Sequence, residues 1–352
     1  MGKRKRKSSP LIPSALWWKS GLALFVFTFL FVLYKILLVP NIAFQADKHY
    51  YLVKKPVSVH ALADTLQSRG IIKSSLLLRS MAELRGVSQI SQGLFIFKKG
   101  WNNYKIISEL TKESSPAYAR IEVPSYQLRK NVIEKVCTPL KKVNKSEVWT
   151  LLRDTRFLDS LGYTKENVFS VFVPGTYYMP VDITARELLE SMHHQYCFFW
   201  NEERRGKADK LKLSREDITI LASIVYSETK NKEEMPKVAG VYLNRLDKNM
   251  RLQSDPTVVY AARKFGAKRV YYKDRKINSL YNTYRHYGLP PGPIYCTPAW
   301  AIDAVLDYED HDYLYFCARD DMSGCHWFTE TFEDHKINAD KYREALNKAG
   351  IM

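Results

Sequence analysis

The feature that most constrains the fold of this chain is a long apolar run near its N-terminus. Residues 20–39 read SGLALFVFTFLFVLYKILLV and contain one charge, Lys35, close to the far end. A helix of about 20 residues spans the hydrocarbon of a bilayer, and a lysine near its end can extend its ammonium group toward water. Trp17 and Trp18 precede the run and suit the membrane interface. The sequence therefore predicts a single membrane-spanning helix over residues 20–39.

The charges around this run predict its orientation. No acidic residue precedes Asp47, whereas the arm over residues 1–19 is rich in lysine and arginine. By the positive-inside rule the arm is cytoplasmic, which predicts a plasma (cell inner) membrane protein with its C-terminal domains outside the cytoplasm. A cleaved signal peptide is the alternative. It is disfavoured because the apolar run is longer than a typical signal core and no small-x-small cleavage site follows.

The overall composition excludes some classes of protein and some classes of ligand. The 352 residues are 46% hydrophobic and 26% charged, which excludes a disordered or fibrous chain. The net charge of +17 suits an anionic polymer or a membrane surface. Nucleic acid is not expected, because the densest basic run adjoins the membrane segment. The five cysteines show no metal-binding spacing; Cys317 and Cys325 flank a predicted turn, where free thiols are favoured over a disulfide.

The part after the span is predicted to be α+β, with a small module over residues 47–115 and a supporting subdomain over 116–210. In the module, apolar periodicity predicts helices from Val59 to Gly70, from Leu76 to Gly86 and over 104–110, with a strand over 93–97. In the supporting subdomain the predicted elements are strands over 120–124 and 169–178, helices over 131–140 and 146–152, and a solvated loop or helix face over 201–215.

The catalytic core is predicted over residues 211–352. Ser214 to Asp217 resembles a helix-capping sequence and precedes the apolar segment ITILASIVYSET. Glu228 lies seven residues, or about two helical turns, beyond Leu221. It therefore extends the face of the helix that points to the core. A carboxyl group there loses hydration, which raises its pKa and suits a general acid. The alternative is that Glu228 lies at a frayed helix end and pairs with Lys230 or Lys232.

The following segments predict further elements of the core. Pro236 is expected to begin a second helix and Pro256 to lie in the first turn of a third. Residues 313–317 and 326–328 are predicted to form a hairpin.

The catalytic core contains several sequence motifs that together resemble a known family. LASIVYSET, KVAGVYLNRL, MRLQSDPTVVY, YNTYRHYGLPPGPI and DYLYFCA make this chain similar to the YceG-like family of endolytic murein transglycosylases. The chain departs from the family at Tyr226, where a glutamate is frequent, at Gly175, where an aspartate is frequent, and at Asn249, which replaces a glycine. Asparagine also tolerates a positive φ. The resemblance implies a LysM-like module over residues 47–115 and a YceG-like catalytic domain after it.

The resemblance further implies cleavage of the MurNAc–GlcNAc β-1,4 bond of peptidoglycan by a lyase, which leaves 1,6-anhydroMurNAc ends and terminates glycan elongation. The C6 hydroxyl of the substrate is then the nucleophile, so a single carboxylate suffices where ordinary glycosidases need two. Glu228 matches the catalytic position. The candidates for substrate binding are Asn244, Gln253, Asp255, Tyr281, Asn282 and Tyr284.

Each binding candidate has a structural alternative. The alternatives are that Asp255 caps a helix, that Asn282 shapes a turn and that the tyrosines line the core. His326 and His335 show no metal-like spacing, and neither a metal nor a cofactor is expected. The expected partners are peptidoglycan glycan strands and the membrane, with peptidoglycan synthases as further candidates. Two other functions stay open: a non-catalytic peptidoglycan-binding scaffold, and a two-carboxylate hydrolase that uses Glu228 with Asp255.

Overall fold

The computed structural model describes residues 14–112, 117–267, 270–348 and 350, with side chains from residue 22 onward. The chain divides into two compact units, Met1–Pro116 and Ala117–Met352. Most of the predicted cytoplasmic arm, residues 1–13, lies outside the described residues. The other predicted domain limits, such as the one between residues 210 and 211, stay predictions.

The first helix, α1 (Ser14–Leu37), covers most of the predicted span. Its described side chains are largely exposed, for example Phe25 at 68%, whereas Ile36 near its end is buried. Asn103 donates its side-chain amide to the Ile36 carbonyl at 2.9 Å and accepts from the Asn41 amide at 2.6 Å, so two buried asparagines hold this helix end. Among the described residues, no helix has the length and apolarity needed to cross a membrane, so the predicted span is not confirmed.

The rest of the first unit is a small α+β module. Its elements are β1 (Lys48–Val53), β2 (Val57–Ser58), α2 (Val59–Ser68), α3 (Ser75–Leu84), β3 (Gln89–Ile90), β4 (Gly93–Lys98) and α4 (Asn103–Leu110). Strand β1 pairs antiparallel with β4, and β2 pairs antiparallel with β3. The predicted helices and the predicted strand are therefore confirmed.

The extent of α3 is predicted correctly, but the spacing of its apolar residues does not show which face is buried. Leu78 and Met81 are buried, whereas Leu76 and Leu84 are 69% and 63% exposed. Three consecutive leucines begin this helix, so the spacing of apolar residues fits more than one face. The packing against α2 and α4, and not the periodicity, decides which face is buried.

The second unit contains the remaining elements. They are β5 (Tyr118–Val123), α5 (Arg129–Cys137), α6 (Lys145–Leu151), α7 (Thr155–Leu161), β6 (Gly175–Pro180), α8 (Ala185–Phe199), α9 (Glu202–Lys210), α10 (Arg215–Glu228), α11 (Met235–Asp247), α12 (Asp255–Ala261), α13 (Ala299–Leu306), β7 (Tyr315–Ala318), β8 (His326–Thr329) and α14 (Phe332–Lys348). Strand β5 pairs antiparallel with β6, and β7 with β8.

One prediction in this unit needs correction. The strand predicted over 169–178 begins only at Gly175, because Val168–Val171 forms a buried 3₁₀ turn and Pro174 lacks the N–H that a strand ladder uses. Of the two alternatives for the charged segment over 201–215, the helix is found in its first part: Glu202–Lys210 is helix α9, capped by Asn201.

The hairpin β7–β8 confirms the prediction for the C-terminal motifs. Cys317 lies opposite Trp327 in the ladder, and the N–H of Arg319 donates to the Cys325 carbonyl at 2.9 Å. The two cysteines are therefore not cross-strand partners. All five cysteines are free thiols.

Helix α10 is the central element of this unit. Ser214 and Asp217 form the predicted capping box at its start, and the residues from Ile218 to Val225 are all buried. The helix packs against α11 and α13. Its burial fixes the position of its last residue, Glu228.

Candidate active site

Three helices bring polar groups together around the Glu228 carboxyl. Glu228 ends α10, Tyr242 lies within α11, and Ser254 is the N-cap of α12. Tyr242 Oη donates to Glu228 Oε1 at 2.6 Å, and Ser254 Oγ donates to the same oxygen at 2.5 Å. No described residue donates to Oε2. Both donors occupy Oε1, so a proton on this carboxyl group resides on Oε2.

The alternative in which Glu228 pairs with a nearby lysine is not found. Lys230 lies over the ring of Tyr226, with its ammonium 3.1 Å from the centroid. Lys232 lies over the ring of Trp300 at 4.6 Å. The described residues contain no ion pair between Glu228 and either lysine.

The environment favours the protonated form of Glu228. Burial raises the pKa of the carboxyl group, the hydrogen bonds from Ser254 and Tyr242 lower it, the charge of Asp255 raises it, and His326 lowers it; the net direction is upward. The negative end of the α10 dipole lies at the same place and also disfavours a carboxylate. The pKa is therefore raised, as expected of a general acid.

The serine that contacts Glu228 is itself fixed by buried hydroxyl groups. The Ser254 N–H donates to Thr283 Oγ1 at 3.0 Å, and Thr257 Oγ1 donates to the Ser254 carbonyl at 2.6 Å. Ser254, Thr257 and Thr283 are all almost completely buried. Gln253 precedes this group with a φ of 51°, a strained value for glutamine, and its N–H donates to the Thr283 carbonyl at 3.1 Å. The Ser254 hydroxyl is thus preorganised toward Glu228.

A cleft of about 670 Å³ opens beside this group. Its lining residues are Gln127, Ser227, Lys230, Asp255, Pro256, Val259, Gly266, Ala267, Val270, Tyr272, Arg275 and Tyr295. Asp255 accepts a hydrogen bond from Tyr284 Oη at 2.5 Å and pairs with Arg275 at 3.2 Å. Its side chain does not cap α12, because Ser254 occupies the N-cap. Asp255 and Arg275 thus lie in the wall of the cleft, and Tyr284 holds the Asp255 carboxylate from behind it.

Two predicted binding residues are used by the fold. Asn282 has no exposed surface; its amide donates to the carbonyls of Arg275 and Ile277 at 2.9 and 2.8 Å. The Asn244 amide donates to the carbonyls of His311 and Tyr313. These amide donors hold loops in the fold, and a binding role for Asn244 or Asn282 stays a prediction.

The predicted binding residues Gln253 and Tyr281 have different surroundings. Gln253 is exposed directly before Ser254. The Tyr281 hydroxyl accepts from Arg129 at 3.2 Å, and its ring packs on Tyr260 at 4.8 Å. Tyr281 lines a neighbouring cleft and not the one beside Asp255.

The two histidines have different surroundings. His326 Nδ1 lies 3.0 Å from Glu234 Oε2, and its backbone N–H donates to Glu234 Oε1 at 2.8 Å. His335 stacks on Tyr315 at 5.5 Å, and burial lowers its pKa. Within the described ranges no group of three metal-ligating side chains is present.

Comparison with known proteins shows the family of this chain. A model of the YceG-like family matches residues 51–341. The chain belongs to the YceG-like family. Its α+β fold agrees with a crystal structure of a YceG-like protein from Listeria monocytogenes, which is 24% identical, covers 83% of this chain and 98% of that one, and superposes with a TM-score of 0.53.

Two relatives of this YceG-like chain have functional names. It is 30% identical over 306 residues to the endolytic murein transglycosylase of Bacillus subtilis (strain 168), covering 83% of this chain and 84% of the relative. It is 25% identical over 338 residues to the endolytic murein transglycosylase of Streptococcus pneumoniae (strain ATCC BAA-255 / R6), covering 86% of this chain and 60% of the relative. These names match the reaction class predicted from the sequence.

Sequence reasoning missed the two donors to Glu228 in this YceG-like chain. Tyr242 occupies an apolar-spaced position of the predicted second helix, and a buried tyrosine hydroxyl usually has a hydrogen-bond partner. Ser254 lies in a polar segment directly before the predicted third helix. The signal that points to both is the need of a buried carboxyl group for donors.

Proposed function

We propose that the chain is an endolytic peptidoglycan lytic transglycosylase that cleaves the MurNAc–GlcNAc β-1,4 bond without water. The observation that carries this proposal is a single carboxyl group, Glu228, held by two donors on one oxygen and beside an open cleft. The enzyme class agrees with the names of the relatives from Bacillus subtilis and Streptococcus pneumoniae.

In the first step of the proposed mechanism Glu228 acts as a general acid. Its raised pKa favours the protonated form, with the proton on Oε2. As the glycosidic C–O bond breaks, this proton passes to the leaving oxygen of GlcNAc. The developing carboxylate is stabilised by the donors Tyr242 and Ser254, whose hydrogen bonds strengthen when their acceptor becomes charged.

In the second step the same group acts as a base. The Glu228 carboxylate takes the proton of the muramic acid C6 hydroxyl while that oxygen bonds to C1. The products are a 1,6-anhydroMurNAc end and a new GlcNAc hydroxyl, and Glu228 regains its proton. Because the nucleophile belongs to the substrate, the attack is intramolecular and gains a large effective molarity. No second carboxylate is then required.

The binding roles follow from exposure and position. Asp255 lines the cleft and is fixed by Tyr284 and Arg275. Asp255 and Tyr284 are proposed to bind the N-acetyl groups and hydroxyls of the sugar. Gln253 is proposed to contact the same sugar from the exposed rim. Tyr281 is proposed to contact the glycan further from the scissile bond.

Membrane attachment is also part of the proposal. The apolar run over residues 20–39 and the basic arm before it support a single-pass anchor with the catalytic unit outside the cytoplasm. The expected consequence is cleavage of nascent strands near the membrane, with the module over residues 47–115 as a LysM-like glycan contact. A reporter fused to the C-terminus tests the orientation: it should be active only outside the cytoplasm, and cytoplasmic activity refutes it.

Mass analysis of the products tests the reaction. The full chain in detergent is incubated with uncrosslinked glycan strands, and a muramic acid end lighter by one water supports the transglycosylase. Reducing ends in its place indicate a hydrolase that uses Asp255 with Glu228. Binding without any cleavage indicates a scaffold with the same fold.

A further inference from the structure

A second cleft lies next to the one that contains Asp255. It encloses about 550 Å³ and shares the lining residue Gln127 with the first cleft. We call it the basic cleft, because its lining includes Arg129, Lys130, Arg153, Lys165 and Arg263. Glu166 is the one acidic side chain among its described lining residues. The proposed mechanism uses none of these five cations.

The charge of the basic cleft is not neutralised by the protein. In the described part of the chain, none of its five cations forms an ion pair with a carboxylate. Elsewhere in this unit such pairs do form, for example between Arg204 and Asp303 and between Lys264 and Asp274. Several unpaired cations around one concave surface repel one another and attract an anion.

One of these cations is already held in place. Arg129 donates to the carbonyls of Lys165 and Glu166 at 3.2 and 2.7 Å, and its guanidinium group lies 4.6 Å from the ring centroid of Phe169. A fixed guanidinium group loses little conformational freedom when an anion binds. The other four cations are exposed, and the Arg153 guanidinium group lies 5.7 Å from the ring centroid of Trp149 in the same lining.

Aromatic rings form the rest of the wall. Trp149, Tyr260, Phe265 and Tyr281 line the basic cleft. The ring centroids of Tyr260 and Tyr281 are 4.8 Å apart, and those of Tyr260 and Phe265 are 6.1 Å apart. Such apolar faces suit the C–H face of a sugar ring, so the lining fits a sugar that carries a strong negative charge.

We propose that the basic cleft binds a phosphate ester carried by the glycan strand, close to the site of cleavage. This inference rests on the proposed function, since it names the substrate group that a neighbouring cleft recognises. A phosphate is favoured over a carboxylate because five cations exceed the single charge of a carboxylate, and guanidinium groups match phosphate oxygens in pairs. The expected consequence is faster cleavage of strands that carry phosphate.

Two sources can supply this chemistry. One is a pyrophosphate that joins a growing strand to a lipid carrier, and the other is a phosphodiester that joins an anionic polymer to a finished strand. Both present phosphate directly on a sugar. The carboxylates of the stem peptides are the competing ligand class, and the experiment separates them from phosphate.

The first measurement is binding of inorganic pyrophosphate to the full chain in detergent, by titration calorimetry, with citrate as a carboxylate of comparable charge. The test variant combines Lys130→Gln, Arg153→Gln and Lys165→Gln. The matched control combines Lys141→Gln, Lys210→Gln and Lys248→Gln, three exposed lysines that remove the same net charge elsewhere on the unit. We expect tighter binding of pyrophosphate than of citrate, a loss of about tenfold or more in the test variant, and no change in the control. Equal affinity for citrate, equal loss in both variants or no binding overturns the proposal.

The second measurement is the rate of cleavage of matched strands. One pair consists of lipid-pyrophosphate-linked strands before and after removal of the pyrophosphate, and the other of strands with and without a phosphodiester-linked polymer. The pair that shows a rate difference identifies the source, and the test variant should lose that difference while it keeps the rate on phosphate-free strands. A chain that cleaves both members of both pairs equally refutes this inference but not the proposed function. Pyrophosphate binding without anhydro products supports the basic cleft and refutes the proposed function.

Discussion

Replacing Glu228 by glutamine removes one transferable proton and leaves the surroundings of the side chain almost unchanged. The glutamine oxygen can still accept from Tyr242 and Ser254, which lie at 2.6 and 2.5 Å from Oε1. Its amide group has nearly the volume of a protonated carboxyl group and occupies the place of Oε2. The variant therefore separates the loss of proton transfer from any loss of packing.

The expected loss of activity follows from the two steps assigned to this residue. General acid–base catalysis by one positioned group contributes about 10²–10⁴-fold, which corresponds to about 3–5 kcal/mol of barrier. Because Glu228 is assigned both the protonation of the leaving oxygen and the deprotonation of the C6 hydroxyl, we expect a loss at or beyond the upper end of this range.

The stability of the Glu228→Gln variant should not fall together with its activity. The pKa of Glu228 is raised in the folded protein, so the folded state binds the proton more tightly than the unfolded state. The contribution of this group to stability is therefore full below the unfolded pKa and is lost as the pH rises through the folded pKa. At a pH above the folded pKa, Glu228→Gln should therefore be as stable as the parent chain or more stable.

The assay is the rate of anhydro-end formation by mass analysis, together with urea unfolding at acidic and neutral pH. Glu233→Gln is the matched control, since Glu233 is exposed and forms no ion pair within the described residues, and it should keep full activity. Asp255→Asn should lose less than Glu228→Gln, because Asp255 is assigned to binding. Near-full activity of Glu228→Gln, with activity abolished in Asp255→Asn, would refute the reasoning and exchange the two roles.

Three further predictions concern the surroundings of the site and the first unit. Tyr242→Phe removes a donor that lowers the pKa of Glu228, so the alkaline limb of the pH–rate profile should move to higher pH; an unchanged limb contradicts the contact. Asn282→Ala strips buried carbonyl groups of their donor and should lower the free energy of unfolding by about 2–5 kcal/mol in urea titrations; a loss of activity at unchanged stability would support Asn282 as a binding residue. Deletion of residues 47–115 should slow cleavage of long glycans more than of short ones, since the module is expected to add remote binding, and equal slowing would indicate a purely structural module.

Local signals in the sequence account for much of the catalytic unit. Helix α10 begins where the capping residues Ser214 and Asp217 predict, and its apolar stripe leads to Glu228. Asn249 takes the positive φ expected for a residue that replaces glycine, with φ at 49°. These features depend on a few neighbouring residues, so they can be inferred without the rest of the fold.

Other features depend on residues far apart in the chain and were not predicted. Tyr242 and Ser254 reach Glu228 only because α11 and α12 pack beside the end of α10, and the basic cleft combines residues from Gln127 to Tyr281. Asn244 and Asn282 look like sugar-binding amides in the sequence, yet both hold backbone carbonyls in the fold. A residue type shows which hydrogen bonds a side chain can make, but only the tertiary packing decides whether those bonds are used by the fold or remain for a substrate.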